Sequence, residues 1–339
     1  MAHVVGALDM EVAIMNSLTA NLHLMMVPFC RPTAERHKIL IEYKAFPSDL
    51  YAVESQIKFH GYDPATSLIQ LRARDGEAAL RNEDILEAIE REGDSIALVM
   101  LSGVQYYTGQ LFRIADITAA AHKKGCVVGF DLAHAVGNVV LRLHEWNVDW
   151  AVWCNYKYIN AGPGAIGGCF VHERHALADL TQFSGWWGHD LKTRFDMDAP
   201  FTPIARAFRF RLSNPPVLQV AALLAGLELF EEATMERLRA KSERLTAYLE
   251  LLLDRTIDAK HLSILTPRTP QDRGCQLSLF FHDEHTVKRV NSNLQKNGCV
   301  CDYRKPNVIR VAPVPLYNSF SDVQRFVSIL RQSLEEQQE

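Results

Sequence analysis

Lys157 is the residue whose chemistry stands out first. It follows the apolar run Trp150-Ala151-Val152-Trp153-Cys154-Asn155 and precedes a glycine-bearing stretch with Gly162, Gly164, Gly167 and Gly168. A lysine at a strand end inside a crowded α/β domain is a candidate Schiff-base nucleophile. Glycines after it let backbone approach a bound group. The ordinary alternative is a solvated lysine opening a glycine turn. Asp131 ends Gly129-Phe130-Asp131, and His134 follows three residues on. A carboxylate deep in a sheet crevice needs a cation or hydrogen-bond donors, and a protonated pyridine nitrogen is one such partner. The alternative is an Asp that caps the next turn, with His134 a packed histidine. Asn16-Ser17-Leu18-Thr19 offers hydroxyls and helix-start N–H groups, a ready anion cup, or a plain Ser/Thr cap. Phe46, just before Pro47-Ser48-Asp49, can stack on an aromatic ring or fill the core. Arg310, within Val308-Ile309-Arg310-Val311, must reach an anion: a ligand carboxylate or an internal partner. Trp186-Trp187 and Ser213-Asn214 sit in loop-like stretches and either line a pocket or serve as core and cap.

The elements that must position these residues alternate. Residues 37–43 have the β-branched core of a buried strand, and 95–102, 126–131 and 150–155 are almost wholly apolar, as strands covered on both faces should be. Helical patterns at 82–93 and 114–125 lie between them, each closed by glycine (Gly93, Gly125). This order predicts a parallel, doubly wound sheet. Ligands of such sheets sit beyond the carboxyl ends of the strands. The residues there are Phe46 to Asp49, Ser102-Gly103, Asp131 to His134 and Asn155 to Lys157. From about 216 the character changes. Two long helices break near Ala233-Thr234. A shorter set follows: a strand at 275–281, a helix through Val287–Gly298, a strand at 308–315 and a closing helix. The expected division is 1–215 for a large domain and 216–339 for an interdomain helix with a small α+β domain.

Composition narrows the class. The chain has 339 residues, with 36 basic and 40 acidic side chains and a net charge of −4. That balance argues against a nucleic-acid or polybasic membrane binder. The opening MAHVVGALDMEV has no basic segment followed by an apolar run, and no long uncharged stretch predicts a membrane span. The seven cysteines are scattered without a CxxC pair, which points to reduced thiols, a cytoplasmic location and no metal centre.

Taken in order, these features resemble pyridoxal phosphate enzymes of the aspartate aminotransferase fold (fold type I). Three stretches are similar to the kynureninase family: Lys44-Ala45-Phe46-Pro47-Ser48-Asp49, the run from Gly129 to Asn138, and the run from Arg310 to Asn318. Arg211 to Pro216 and Gly185-Trp186-Trp187-Gly188-His189 fit as well. The resemblance implies a hydrolase that converts L-kynurenine or its 3-hydroxy form to anthranilate or 3-hydroxyanthranilate plus L-alanine, in tryptophan catabolism and NAD biosynthesis. It implies pyridoxal 5'-phosphate as cofactor, with Lys157, Asp131 and Tyr156 as catalytic residues. Lys157 would carry the cofactor, Asp131 would bind the pyridine nitrogen and Phe46 would stack on the ring. Leu18, Thr19 and Tyr156 would meet the phosphate. Pro47, Ser48, Asp49, Ser102, His134, Trp186 and Asn214 would complete the cofactor shell. Ser213, Asn214 and Arg310 would bind substrate, Arg310 through the α-carboxylate. A homodimer is implied too. In the family a substantial segment precedes the phosphate cup, whereas residues 1–15 precede Asn16 here, so a shortened N-terminus is expected. The alternatives are an inactive truncated subunit and another enzyme of this fold, a desulfurase or an aminotransferase.

Overall fold

A computed structural model describes residues 1–197 and 200–335. The chain forms two compact units: Met1–Ala73, Leu80–Gly103 and Phe112–Ala233 make the first, and Arg74–Ala79, Val104–Leu111 and Thr234–Glu339 the second.

The first unit is built on a seven-stranded sheet. Its strands are β1 (Val12–Ile14), β2 (Lys38–Glu42), β3 (Leu68–Leu71), β4 (Ile96–Ser102), β5 (Val127–Asp131), β6 (Trp150–Trp153) and β7 (Gly168–Val171). Their order is β1-β7-β6-β5-β4-β2-β3. Neighbours from β3 to β6 pair in parallel, and β7 is antiparallel to both β6 and β1. The four expected strands are β2, β4, β5 and β6, and the expected helices form at Asn82–Glu92 and Ile114–Lys123. β4 is buried along Ile96–Leu101 and β6 throughout, which is why both read as continuous apolar runs. The core below the sheet gathers Leu22, Met25, Met26 and Phe29 from the helix Leu18–Phe29 against Ile39, Ile41, Met100, Trp150 and Val152. Gly129 is required by packing: a Cβ there would lie 2.1 Å from the Trp150 ring.

Polar ties close the edges of this unit. Arg36 donates to the carbonyls of Gly93, Ile96 and Lys124, each at 2.8 Å. Asp149 accepts from His122 at 2.9 Å, His175 at 2.8 Å and the Val128 N–H at 2.8 Å, and pairs with Arg174. Buried Glu11 accepts from the N–H groups of Leu8 at 2.9 Å and Glu173 at 2.8 Å, and from His144 at 2.9 Å.

The second unit carries a four-stranded antiparallel sheet of β8 (Leu262–Ile264), β9 (Leu277–Phe281), β10 (Asp302–Arg304) and β11 (Val308–Val311), in the order β10-β11-β9-β8. Helices Met235–Thr256, Glu284–Lys296 and Phe320–Glu335 supply Leu245, Leu249, Val290, Leu294, Val327 and Leu330 to a core with Leu277, Leu279 and Phe281. Each such fully buried side chain contributes about 1.5–3 kcal/mol. The expected division at 215/216 falls before the helix Val217–Ala233, and that helix belongs to the first unit. The break is at Thr234, whose φ of 59° cannot continue a helix and whose side chain caps the next one. Among the described residues no helix is long and apolar enough to cross a membrane.

Candidate active site

The carboxyl ends of β2, β4 and β5 bring three acids together. Glu42 closes β2 and is buried. Ser102, at the end of β4, donates its hydroxyl to Glu42 Oε1 at 2.6 Å. Asp131 ends β5 in direct register with Ser102, and its Oδ1 accepts the Ala133 N–H at 2.7 Å. Asp49 opens into the same place from the first turn of the helix Pro47–Phe59 and is hydrogen-bonded to Asp131. Its Oδ1 is buried with no hydrogen-bond partner among the described residues.

Crowding of like charges in a dry place decides the electrostatics. Burial pushes the Asp49 carboxyl well above the usual carboxylate range, and the negative Asp131 and Glu42 push it further. Burial likewise raises Asp131, against the opposing bonds from Asp49 and the Ala133 N–H. Glu42 is raised by burial as well, against the bonds it accepts from Ser102. A cation faces this acid floor. Lys157 acts electrostatically on both Asp49 and Asp131 and favours their charged forms. Its Nζ lies 3.2 Å from His134 Nε2 and 5.9 Å from the centre of the Phe46 ring.

Phe46, Asp49, Ser102, Asp131, His134 and Lys157 therefore meet in one place. Phe46 is 40% exposed, so it is a platform edge rather than a core residue. Pro47 and Ser48 lie beside it in the first turn of their helix. Leu18 and Thr19 open the helix Leu18–Phe29. The Ser17 side chain does not cap it, so the first-turn N–H groups are left for another acceptor. Tyr156 is half exposed. Its hydroxyl is pushed up to about 12 by burial and by a bond to Cys154. The glycines after Lys157 divide in two. Gly162 and Gly164 have φ of 84° and 71° and open space around them. They serve backbone conformation rather than close approach. A Cβ on Gly168 would strike the Trp153 ring at 2.6 Å.

Trp186 donates to the Arg194 carbonyl at 2.9 Å. Its loop runs against the one carrying Ser213 and Asn214, where a Cβ on Gly185 would lie 2.3 Å from Leu212. Ser213 and Asn214 are exposed. Arg310 belongs to the second unit. There it pairs with Asp302 and donates to the Tyr106 carbonyl at 2.5 Å. Glu42 is the buried acid that sequence reasoning missed. A charged residue closing an otherwise apolar strand was its only signal.

Comparison with known proteins decides the family. A kynureninase from Nematostella vectensis is 56% identical over 97% of this chain and 73% of its own length. One from Koribacter versatilis is 58% identical over 96% and 76%, and the mouse protein 54% over 99% and 73%. The chain belongs to the kynureninase family. The model of the kynureninase C-terminal domain matches residues 238–330, within the second unit. Among solved structures, a cysteine desulfurase from Thermococcus onnurineus superposes with a TM-score of 0.79 at 16% identity, covering 99% of this chain and 82% of that one. A desulfurase from Escherichia coli gives 0.79 at 17%, covering 99% and 82%. These likenesses show the fold, the expected fold type I architecture of a large mostly parallel α/β unit and a smaller α+β unit. They do not carry desulfurase chemistry here. Cys154 and Cys169 are buried, and burial pushes the Cys169 thiol up to about 12, far from a reactive thiolate.

Proposed function

We propose that this member of the family hydrolyses L-kynurenine or 3-hydroxy-L-kynurenine to anthranilate or 3-hydroxyanthranilate and L-alanine, with pyridoxal 5'-phosphate held at Lys157. The observation that carries the reading is the buried acid pair Asp49–Asp131 with Lys157 beside it. Asp49 Oδ1 is buried without a partner, and a protonated pyridine nitrogen is the donor such a floor calls for. The uncapped helix start at Leu18 and Thr19 suits a phosphate in the same way. The residues thus fit the cofactor at both of its ends.

When bound, pyridoxal phosphate supplies an electrophilic carbon and a ring that accepts an electron pair. The chain supplies the rest. Asp131, with Asp49 beside it, would hold the ring nitrogen protonated, and Phe46 and His134 would flank the ring. Lys157 Nζ is the nucleophile. Its free amine would be the base that takes the substrate α-proton and the acid that gives it back. Tyr156, Leu18 and Thr19 hold the phosphate, and Pro47, Ser48 and Ser102 shape the pocket around them. Arg310 holds the substrate carboxylate. Trp186 and Asn214 would complete the cofactor shell, and Ser213 and Asn214 belong to the substrate side, completed by a second copy in a homodimer. Seven free thiols support a reducing, cytoplasmic setting.

The test mixes purified chain with pyridoxal phosphate and 3-hydroxykynurenine and follows 3-hydroxyanthranilate, with Lys157→Ala alongside. Product from the unaltered chain and none from the variant is expected. Equal turnover by Lys157→Ala, or no product from the soluble unaltered chain, overturns the assignment.

A further inference from the structure

Arg310 sits on β11 directly across from Asp302 on β10 in the antiparallel register. Its Nε lies 2.6 Å from Asp302 Oδ2, and its Nη2 is 2.6 Å from the same oxygen. Nη1 donates to the Tyr106 carbonyl at 2.5 Å. The guanidinium has five N–H groups. Three are used in this way, and one remains on each terminal nitrogen. The Arg310 side chain is only 11% exposed, so it cannot swing between alternatives. Arg304, two residues along β10 on the same face, donates to the same Asp302 oxygen at 2.7 Å. Two guanidinium charges against one carboxylate leave the trio net positive, so it still attracts an anion.

We propose that Asp302 is a positioning residue: it clamps the Nε edge of Arg310 so that the terminal N–H pair is presented, fixed in advance, to the carboxylate of the substrate. This rests on the reading of Arg310 as the carboxylate holder. The clamp makes the site selective for an amino acid over its amide or decarboxylated analogue. A planar fork already held on one edge loses less freedom when it grips a carboxylate, and its direction is set before binding. A like-charged placeholder is the opposite arrangement. If Asp302 filled the position that the substrate carboxylate takes, removing it would tighten binding.

The experiment uses the cofactor-loaded chain, with kynurenine and its carboxamide as paired substrates. Asp302→Ala, Asp302→Asn and Arg310→Lys are compared with the unaltered protein, and each variant's melting is recorded. Asp302→Ala is expected to raise KM for kynurenine about tenfold, the scale of one charge-assisted hydrogen bond misplaced, with kcat changed less than about twofold. The kcat/KM preference for kynurenine over the carboxamide should fall in parallel. Asp302→Asn keeps an acceptor oxygen in place and should recover part of both effects. It also carries the test if the alanine variant fails to fold. An unchanged KM and preference in Asp302→Asn and Asp302→Ala, with Arg310→Lys impaired, overturns the clamp and leaves Arg310 as the carboxylate holder. A KM that falls makes Asp302 a placeholder and overturns it too. If Arg310→Lys also leaves KM and preference untouched, the reading of Arg310 is what fails, and the clamp with it.

Discussion

Asp49→Asn should make the cofactor-free protein more stable while weakening its hold on the cofactor. Asp49 is 2% exposed, one of its oxygens has no partner, and Asp131 and Glu42 crowd it. Its pKa in the folded chain is raised well above the ordinary 3.8. The folded state therefore binds more protons than the unfolded one as pH rises from that ordinary value through the raised one. Stability falls with rising pH across that window, by up to about 1.4 kcal/mol per pH unit for each extra proton. An amide in place of the carboxyl removes one such proton from the balance and donates an N–H to Asp131. What the amide relieves is the crowding of like charge with Asp131 and Glu42, and each kcal/mol of that relief should raise Tm by about 2–4 °C in a unit of this size. The assay is thermal unfolding of cofactor-free protein at several pH values from 5 to 8, wild type against Asp49→Asn. A higher Tm at neutral pH and a shallower fall with pH are expected. The loaded proteins should show the reverse ranking, because the ring nitrogen then loses an ionised partner. A variant that melts lower without cofactor, or keeps the wild-type pH slope, refutes the claim that the acid floor is held at a cost for a cationic ligand.

Two substitutions probe the scaffold. Gly129→Ala places a methyl 2.1 Å from the Trp150 ring inside a sheet whose strands leave no room. Denaturant titration should show a loss of about 1–3 kcal/mol or more, and full stability would mean that the β5–β6 packing is looser than described. Arg36→Ala removes a fork that ties three carbonyls, those of Gly93, Ile96 and Lys124. A loss of at least about 1.5–3 kcal/mol is expected. Amide exchange should speed up at the helix ends before β4 and β5, and protection unchanged there would count against the tie.

What the sequence disclosed follows from how the strands are covered. β4, β5 and β6 are buried on both faces and surface as apolar runs, so their ends, and the residues just past them, could be placed without a structure. β1 and β10, with three residues each, and β7, with four, are too short for periodicity to show. The reversed direction of β7 is a property of the sheet, not of the segment. The domain change was misplaced. Pro215-Pro216 looks like a boundary, whereas the units divide at the helix break already legible near Ala233-Thr234, where Thr234 has a positive φ.

Asp131 shows why weighing a functional reading against an ordinary one can mislead. Both readings describe it. Oδ1 takes the Ala133 N–H and shapes the turn that carries His134, as a capping Asp does. The same carboxyl is hydrogen-bonded to Asp49 and faces Lys157, as a ligand-holding Asp does. The first role supports the second, because a carboxyl anchored by a backbone N–H cannot rotate away from its partner. Arg310 repeats the pattern in the second unit. The expected alternative, an internal ion pair, is present with Asp302, and together with the bond to the Tyr106 carbonyl it leaves one N–H on each terminal nitrogen. In each case the internal bond consumes one edge of the group and aims the other. A cap or an ion pair found at such a position therefore counts toward a functional role, once the atoms left over are counted.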